Sequence, residues 1–208
     1  MPPLPLTDTA SRRLAGARPG PRKRELRSGE ILDAAAALFV ENGVAMTSID
    51  DIVERAGVAK GTFYHYFQDR AGMLEALRER YAEHFAEKAA AATAACDPDD
   101  WGGRLHAWIA AVAAAYISSY ALHDAIFHDP AVCHRCAMSE LRVVQDLAAL
   151  IGAGEQAGVW EGGDPLATAV CMFHGLHGMV DEALAVDDDT GKVVPRLSRL
   201  YANMLRKA

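Results

Sequence analysis

Three short runs of helical periodicity between residues 26 and 67, interrupted by glycines at 43 and 57, constrain this chain more than any other feature. In the first run Ile31, Ala34, Ala35, Leu38 and Phe39 form one apolar face, closed by Asn42 and Gly43. Thr47 or Ser48 then stands at an N-cap position before Ile49, Ile52, Val53 and Ala56, with Asp50 and Asp51 complementing the helix dipole in the first turn. Gly57 ends this second helix. Val58 opens a third, whose buried side is Phe63, Tyr66 and Phe67 and whose opposite side carries Lys60, Thr62, Tyr64 and His65. Two short helices joined at a glycine, the second with a polar outer face, form a helix-turn-helix: the first braces across a DNA backbone and the second lays its N-terminal end into the major groove. That end is Ala59, Lys60, Gly61 and Thr62. A glycine inside so short a helix costs about 1 kcal/mol relative to alanine, so Gly61 points to close approach of the backbone to a ligand.

The segment TSIDDIVERAGVAKGTFYHYFQDR resembles the DNA-binding segment of the TetR family of transcriptional regulators, and the preceding helix with Phe39 and Gly43 fits as well, so that the resemblance covers residues 28–75. By this resemblance Thr47 matches the position whose hydroxyl and amide meet a phosphate, Lys60 and Thr62 the positions that face bases, and Tyr64 and His65 the pair that touches the backbone. Arg70 stands where the family commonly has a lysine, at a helix start that itself attracts phosphate. Ala71-Gly72 departs from the two acidic residues the family prefers there, which predicts a looser start to the fourth helix. The resemblance further implies a repressor that binds a palindromic operator as a homodimer and is released by a small-molecule effector. Dimerisation has a separate argument, since one helix-turn-helix buries too little surface for tight specific binding.

Charge is distributed unevenly. The first 27 residues hold seven basic side chains against two acidic ones, and the remainder of the chain sums to −12 within an overall −7. A basic arm over residues 1–25, rich in proline and glycine, reads either as a polycation that touches phosphates or as a solvated tail. No apolar run approaches the length of a membrane span, no apolar segment precedes a small-residue cleavage site, and four cysteines are too few for a disulfide framework. The expectation is a cytoplasmic protein with no membrane partner.

Beyond residue 69 the helical pattern continues without sustained strand alternation, so the fold class is all-α: a helix-turn-helix domain over 26–70 and a larger helical effector-binding and dimerisation domain over 71–208. Its helices are expected from about Asp69 to Cys96, Asp99 to Leu122, Pro130 to Ala157, Pro165 to Val186 and Lys192 to Lys207. The resemblance suggests that the last two pair with their copies. The apolar residues Leu166, Val170, Phe173, Leu176, Met179, Val180, Leu197, Leu200, Tyr201 and Met204 suit that role or an internal core, on different faces.

Trp108, Tyr116, Tyr120, Phe127, Trp160 and Phe173 are candidates to line an effector pocket for an apolar or aromatic molecule, or equally to be core. His174, His177 and Asp181 share one helix face, and His123 and His128 lie near a helix break that could bring them alongside. Neutral imidazoles with a carboxylate suit a divalent transition metal, and buried or interface histidines are the other reading. Cys133-His134-Arg135-Cys136 reads as a half zinc site, a redox pair or a helix crossing filled by small residues. Three functions therefore compete: an effector-released regulator, a metal- or redox-sensing regulator, and a metal-dependent enzyme. No nucleophile elbow, phosphate loop or HExxH segment supports the enzyme.

Overall fold

The computed structural model describes residues 21–127, 140–161, 163–186 and 189–207, and these are helical with a single isolated bridge between Trp160 and Arg206. Residues 1–20 of the expected 1–25 arm, His128 and the Cys133–Cys136 motif lie outside the described residues. Helix α1, Pro21–Asn42, begins five residues earlier than its apolar periodicity predicts. Proline at a first helical position loses no intrahelical bond, because the amide it lacks would have no partner there.

Helices α2, Ile49–Arg55, and α3, Lys60–Tyr66, follow as expected. Ser48 rather than Thr47 is the cap of α2: its hydroxyl accepts from the amide of Asp51, whose carboxylate accepts from the Ser48 amide. The two helices turn at Gly57, where φ is +65° and a side chain would be strained. Ile31, Leu38, Phe39, Ile52 and Phe63 close a core with Met73, Leu74 and Leu77 from the first two turns of α4, Arg70–Ala94. The small domain thus runs past residue 70. Asp69 caps α4 by accepting from the Gly72 amide at 2.8 Å, so the expected loose start is corrected by a capping carboxylate just ahead of the Ala71-Gly72 departure.

The later turns of α4 enter a second core with α5, Trp101–Ser118, α7, Arg142–Gln156, α8, Pro165–Ala185, and α9, Val193–Met204. One helix expected over 99–122 is two. Ser118 and Ser119 both turn their hydroxyls back onto the Ala115 carbonyl, at 2.9 and 2.6 Å, and this competition with the helix ladder accompanies a bend of 75° into α6, Tyr120–Phe127. Among the described residues no single helix is long and apolar enough to cross a membrane.

Helix α6 leaves the large core and lies on α1. Ile126, fully buried, is the residue of the small core that comes from furthest along the chain.

Candidate DNA-binding face and a cavity in the large domain

On the outer side of α3, Lys60, Gly61, Tyr64 and His65 are exposed and Thr62 is half-buried, while Phe63 and Phe67 anchor the helix inward. A Cβ at Gly61 would meet nothing within 4 Å, so internal packing does not require the glycine and the backbone is open to an approaching partner. Lys60 is held by Asp50 at 2.7 Å, which raises its pKa through hydrogen bonding and charge. Such an exposed pair contributes little to stability and exchanges readily for a base or phosphate. Tyr64 stands edge-on to Phe63 with 51% of its surface exposed.

Two expected contacts are placed otherwise. The Thr47 hydroxyl donates to the Gly43 carbonyl at 2.9 Å, and its amide to Val44, so a residue expected to greet a phosphate spends both donors tying the end of α1 to the start of α2. The guanidinium of Arg70 is turned over the Phe39 ring at 5.9 Å, with Nε and Nη2 buried and without a hydrogen-bond partner. Orphaned donors of this kind cost about 1–3 kcal/mol, so Arg70 gains by swinging out to an anion.

The large domain forms a partly open cavity of about 540 Å³ between α4, α5, α6, α7 and α8. Tyr116, Phe127 and Phe173 line it as expected. Three other candidates do not: Trp108 is 1% exposed in the core and borders a separate, smaller cavity; Tyr120 packs edge-on against Tyr116; and Trp160 stands on Gly154, where a Cβ would lie 2.3 Å from its ring. The cavity instead takes Tyr81 and Phe85 from α4.

The structure does bring His123, His174, His177 and Asp181 to this cavity. Yet among the described residues no three His, Cys, Asp or Glu side chains group closely enough to hold an ion, because the rings are stacked and bonded elsewhere. The Asp181 carboxylate accepts from the Tyr116 hydroxyl at 2.7 Å, and the His177 Nδ1 lies 2.9 Å from the Phe173 carbonyl. A carbonyl can only accept, so Nδ1 carries the proton and Nε2 is left as an acceptor. Burial holds the His177 pKa below its ordinary 6.5, raises that of Tyr116, and pushes that of Tyr81 up to about 12, so His177 is a neutral imidazole and both tyrosines are neutral phenols at physiological pH.

Arg78 was missed by the sequence reading, although its place in the apolar stripe of Met73, Leu74, Leu77, Tyr81 and Phe85 signals it. It is 7% exposed, and its Nε and Nη2 donate to the Ile126 carbonyl at 2.8 and 2.5 Å. A cation on a helix C-terminal carbonyl is favourably placed against the helix dipole. Arg78 therefore ties α4 to α6, below a cavity that its own side chain helps to line.

Residues 31–77 match the family model described as bacterial regulatory proteins, tetR family. Over this stretch, under a quarter of the chain, the helix-turn-helix region is similar to that family. It is similar to the HTH-type transcriptional repressor KstR2 of Mycobacterium tuberculosis (strain ATCC 25618 / H37Rv), with 41% identity over 51 residues, 24% of this chain and 26% of that one. It also resembles the HTH-type transcriptional regulator BetI of Yersinia pestis (strain Pestoides F), with 35% identity over 82 residues, 39% of this chain and 41% of the relative. These matches span well under half the length of the curated relatives. The likeness of fold extends further: FadR of Bacillus subtilis, solved in complex with stearoyl-CoA, superposes with a TM-score of 0.69 at 19% identity, covering 86% of this chain and 99% of that one. The relatives are named as regulators of transcription, not as enzymes.

Proposed function

We propose that this chain is a cytoplasmic transcriptional repressor that binds a two-fold-symmetric DNA operator as a homodimer and is released when a small molecule enters the α4–α8 cavity. The observation that carries this reading is the double membership of α6. His123 and Phe127 border the cavity, while Ile126 fills the small core and its carbonyl is held by Arg78. A molecule that displaces one side of so short a helix displaces the other, and the small domain with it. Only a few kcal/mol of differential affinity between two arrangements is needed for such a switch.

The homodimer is supported by the way the C-terminal apolar residues divide. Phe173, Leu176, Val180, Leu197 and Tyr201 are buried, whereas Leu166, Leu200 and Met204 are 42–52% exposed on α8 and α9, leaving an apolar face for a second copy. Val170 and Met179 are half-buried between the two.

Selection of bound duplexes from a random DNA pool tests the regulator directly, and the expected product is a site with two-fold symmetry. Replacing Lys60 and Thr62 by alanine should relax base preference at about 1–3 kcal/mol per lost base contact. Enrichment of no sequence above salt-sensitive background would refute the repressor reading.

A further inference from the structure

We infer that the molecule the cavity takes is an amphipathic cation: a hydrophobic or aromatic body carrying a protonated amine. The inference rests on reading this cavity as the effector site and names the chemistry of its occupant. Three observations converge on it.

The walls are aromatic on several sides. His177 lies with its ring centre 4.3 Å from that of Tyr116 and 4.4 Å from that of Phe173, His123 lies 4.8 Å from Phe127, and Phe127 lies 5.8 Å from Tyr81. Ring faces present negative quadrupole density, which favours a cation within about 6 Å of a ring centre.

Among the described residues, the charge that lines the cavity is negative. Glu75, Glu79 and Asp181 border it, with Arg78 as the opposing guanidinium. That guanidinium is already engaged, through Nε and Nη2 with the Ile126 carbonyl and through Nη1 with Glu75 at 3.7 Å. Glu75 and Glu79 are exposed lining residues, so they stand on the open side where a charged group would enter. Stearoyl-CoA, the ligand in the FadR complex, would have to bring its phosphates past these carboxylates.

Two acceptors stand open on α8. Tyr116 donates to Asp181, the Tyr81 hydroxyl is paired with Ser119 at 2.9 Å, and Arg78 donates through Nε and Nη2 to the Ile126 carbonyl. The Nε2 of His177 and the Oδ2 of Asp181 remain, one turn apart on α8. A protonated amine offers donors to both and places its charge beside a carboxylate; a carboxylic acid ligand offers neither.

The test uses the full chain and three probes with one skeleton, 4-phenylbutylamine, 4-phenylbutanol and 4-phenylbutanoic acid, titrated by calorimetry at neutral pH. The amine is expected to bind about tenfold more tightly than the alcohol, the advantage of a charge-assisted hydrogen bond, with the acid weakest. Asp181→Asn, which keeps an acceptor for Tyr116, should erase that advantage by lowering amine affinity about tenfold more than alcohol affinity. Glu79→Gln, at the exposed rim and without risk to folding, should reduce amine affinity about twofold through the weaker effect of a solvated charge. An acid that binds as tightly as the amine, an amine preference untouched in both variants, or no binding of the amine at millimolar concentration would each overturn the inference. Operator release measured with the same compounds separates the two readings. An amine that binds without releasing DNA refutes the switch and keeps the ligand class, whereas an acid that binds and releases DNA does the reverse.

Discussion

The two cores of this chain solve different problems. The small one is closed by α1, two seven-residue helices and the first turns of α4, and it packs its aromatics, Phe39, Phe63 and Phe67, against one another so that its polar residues are displayed outward. The large one is built from longer helices and leaves a cavity of about 540 Å³ among its aromatics, so its polar groups converge inward. On the function proposed above, the working parts sit on the outside of a filled core in one region and inside an unfilled core in the other. A surface that reads DNA needs rigid backing. A site that responds to a small molecule needs packing that is incomplete until the molecule arrives.

The strongest way to break this contrast is to open each core in turn. Phe63→Ala and Trp108→Ala should each cost about 3–5 kcal/mol, the range for losing a large buried aromatic. Chemical denaturation with separate probes of the two domains should show Phe63→Ala destabilising the DNA-binding domain first while the cavity still binds, and Trp108→Ala losing both. Identical single transitions in the two variants would mean that the cores do not melt separately.

Next in size is the tie between them. Arg78→Met removes the guanidinium that lies over the Phe127 ring and leaves the Ile126 carbonyl without its donor, at an expected cost of about 1.5–3 kcal/mol for a charged hydrogen bond. Global stability should fall, and occupancy of the cavity should then affect DNA affinity less than in the parent. Full retention of that coupling would show that α6 acts without Arg78.

Smaller still is Ser48→Ala, which removes the capping box of α2 and should cost about 1 kcal/mol in thermal unfolding, with cavity binding unchanged. The last concerns acidity. Burial holds the folded-state pKa of His177 below 6.5, so as pH falls through 6.5 the unfolded chain takes up the proton first and the folded state loses stability. His177→Gln should flatten the decline in melting temperature between neutral pH and the folded-state pKa; an unchanged slope would place the sensitivity elsewhere.

Legibility in the sequence followed the same division. Lys60, Thr62, Tyr64 and His65 could be assigned to the outer face of α3 because a helix with an apolar anchor at Phe63 and Phe67 has only one face left to expose. Thr47 and Arg70 were the exceptions there, since neither a hydroxyl bonded to Gly43 nor a guanidinium folded over Phe39 is visible in spacing. In the large domain aromatic identity alone could not separate lining from filler. Trp108, Tyr120 and Trp160 have the same apolar surroundings in sequence as Tyr116 and Phe173, and only the crossing of five helices decides which rings border space. The bend at Ser119 compounded this: a continuous helix to Leu122 gives no reason for His123 and Phe127 to turn toward the cavity or for Ile126 to turn away from it.

Because α6 both borders the cavity and fills the small core, information cannot flow through it in one direction only. If an occupied cavity weakens the grip on DNA by some factor, thermodynamic linkage requires that DNA weaken the grip on the occupant by the same factor. A promoter bearing the operator would then act as a competitor of the ligand despite sharing no surface with it. The concentration at which the switch responds would depend on how many such sites a genome carries as well as on the chemistry of the pocket.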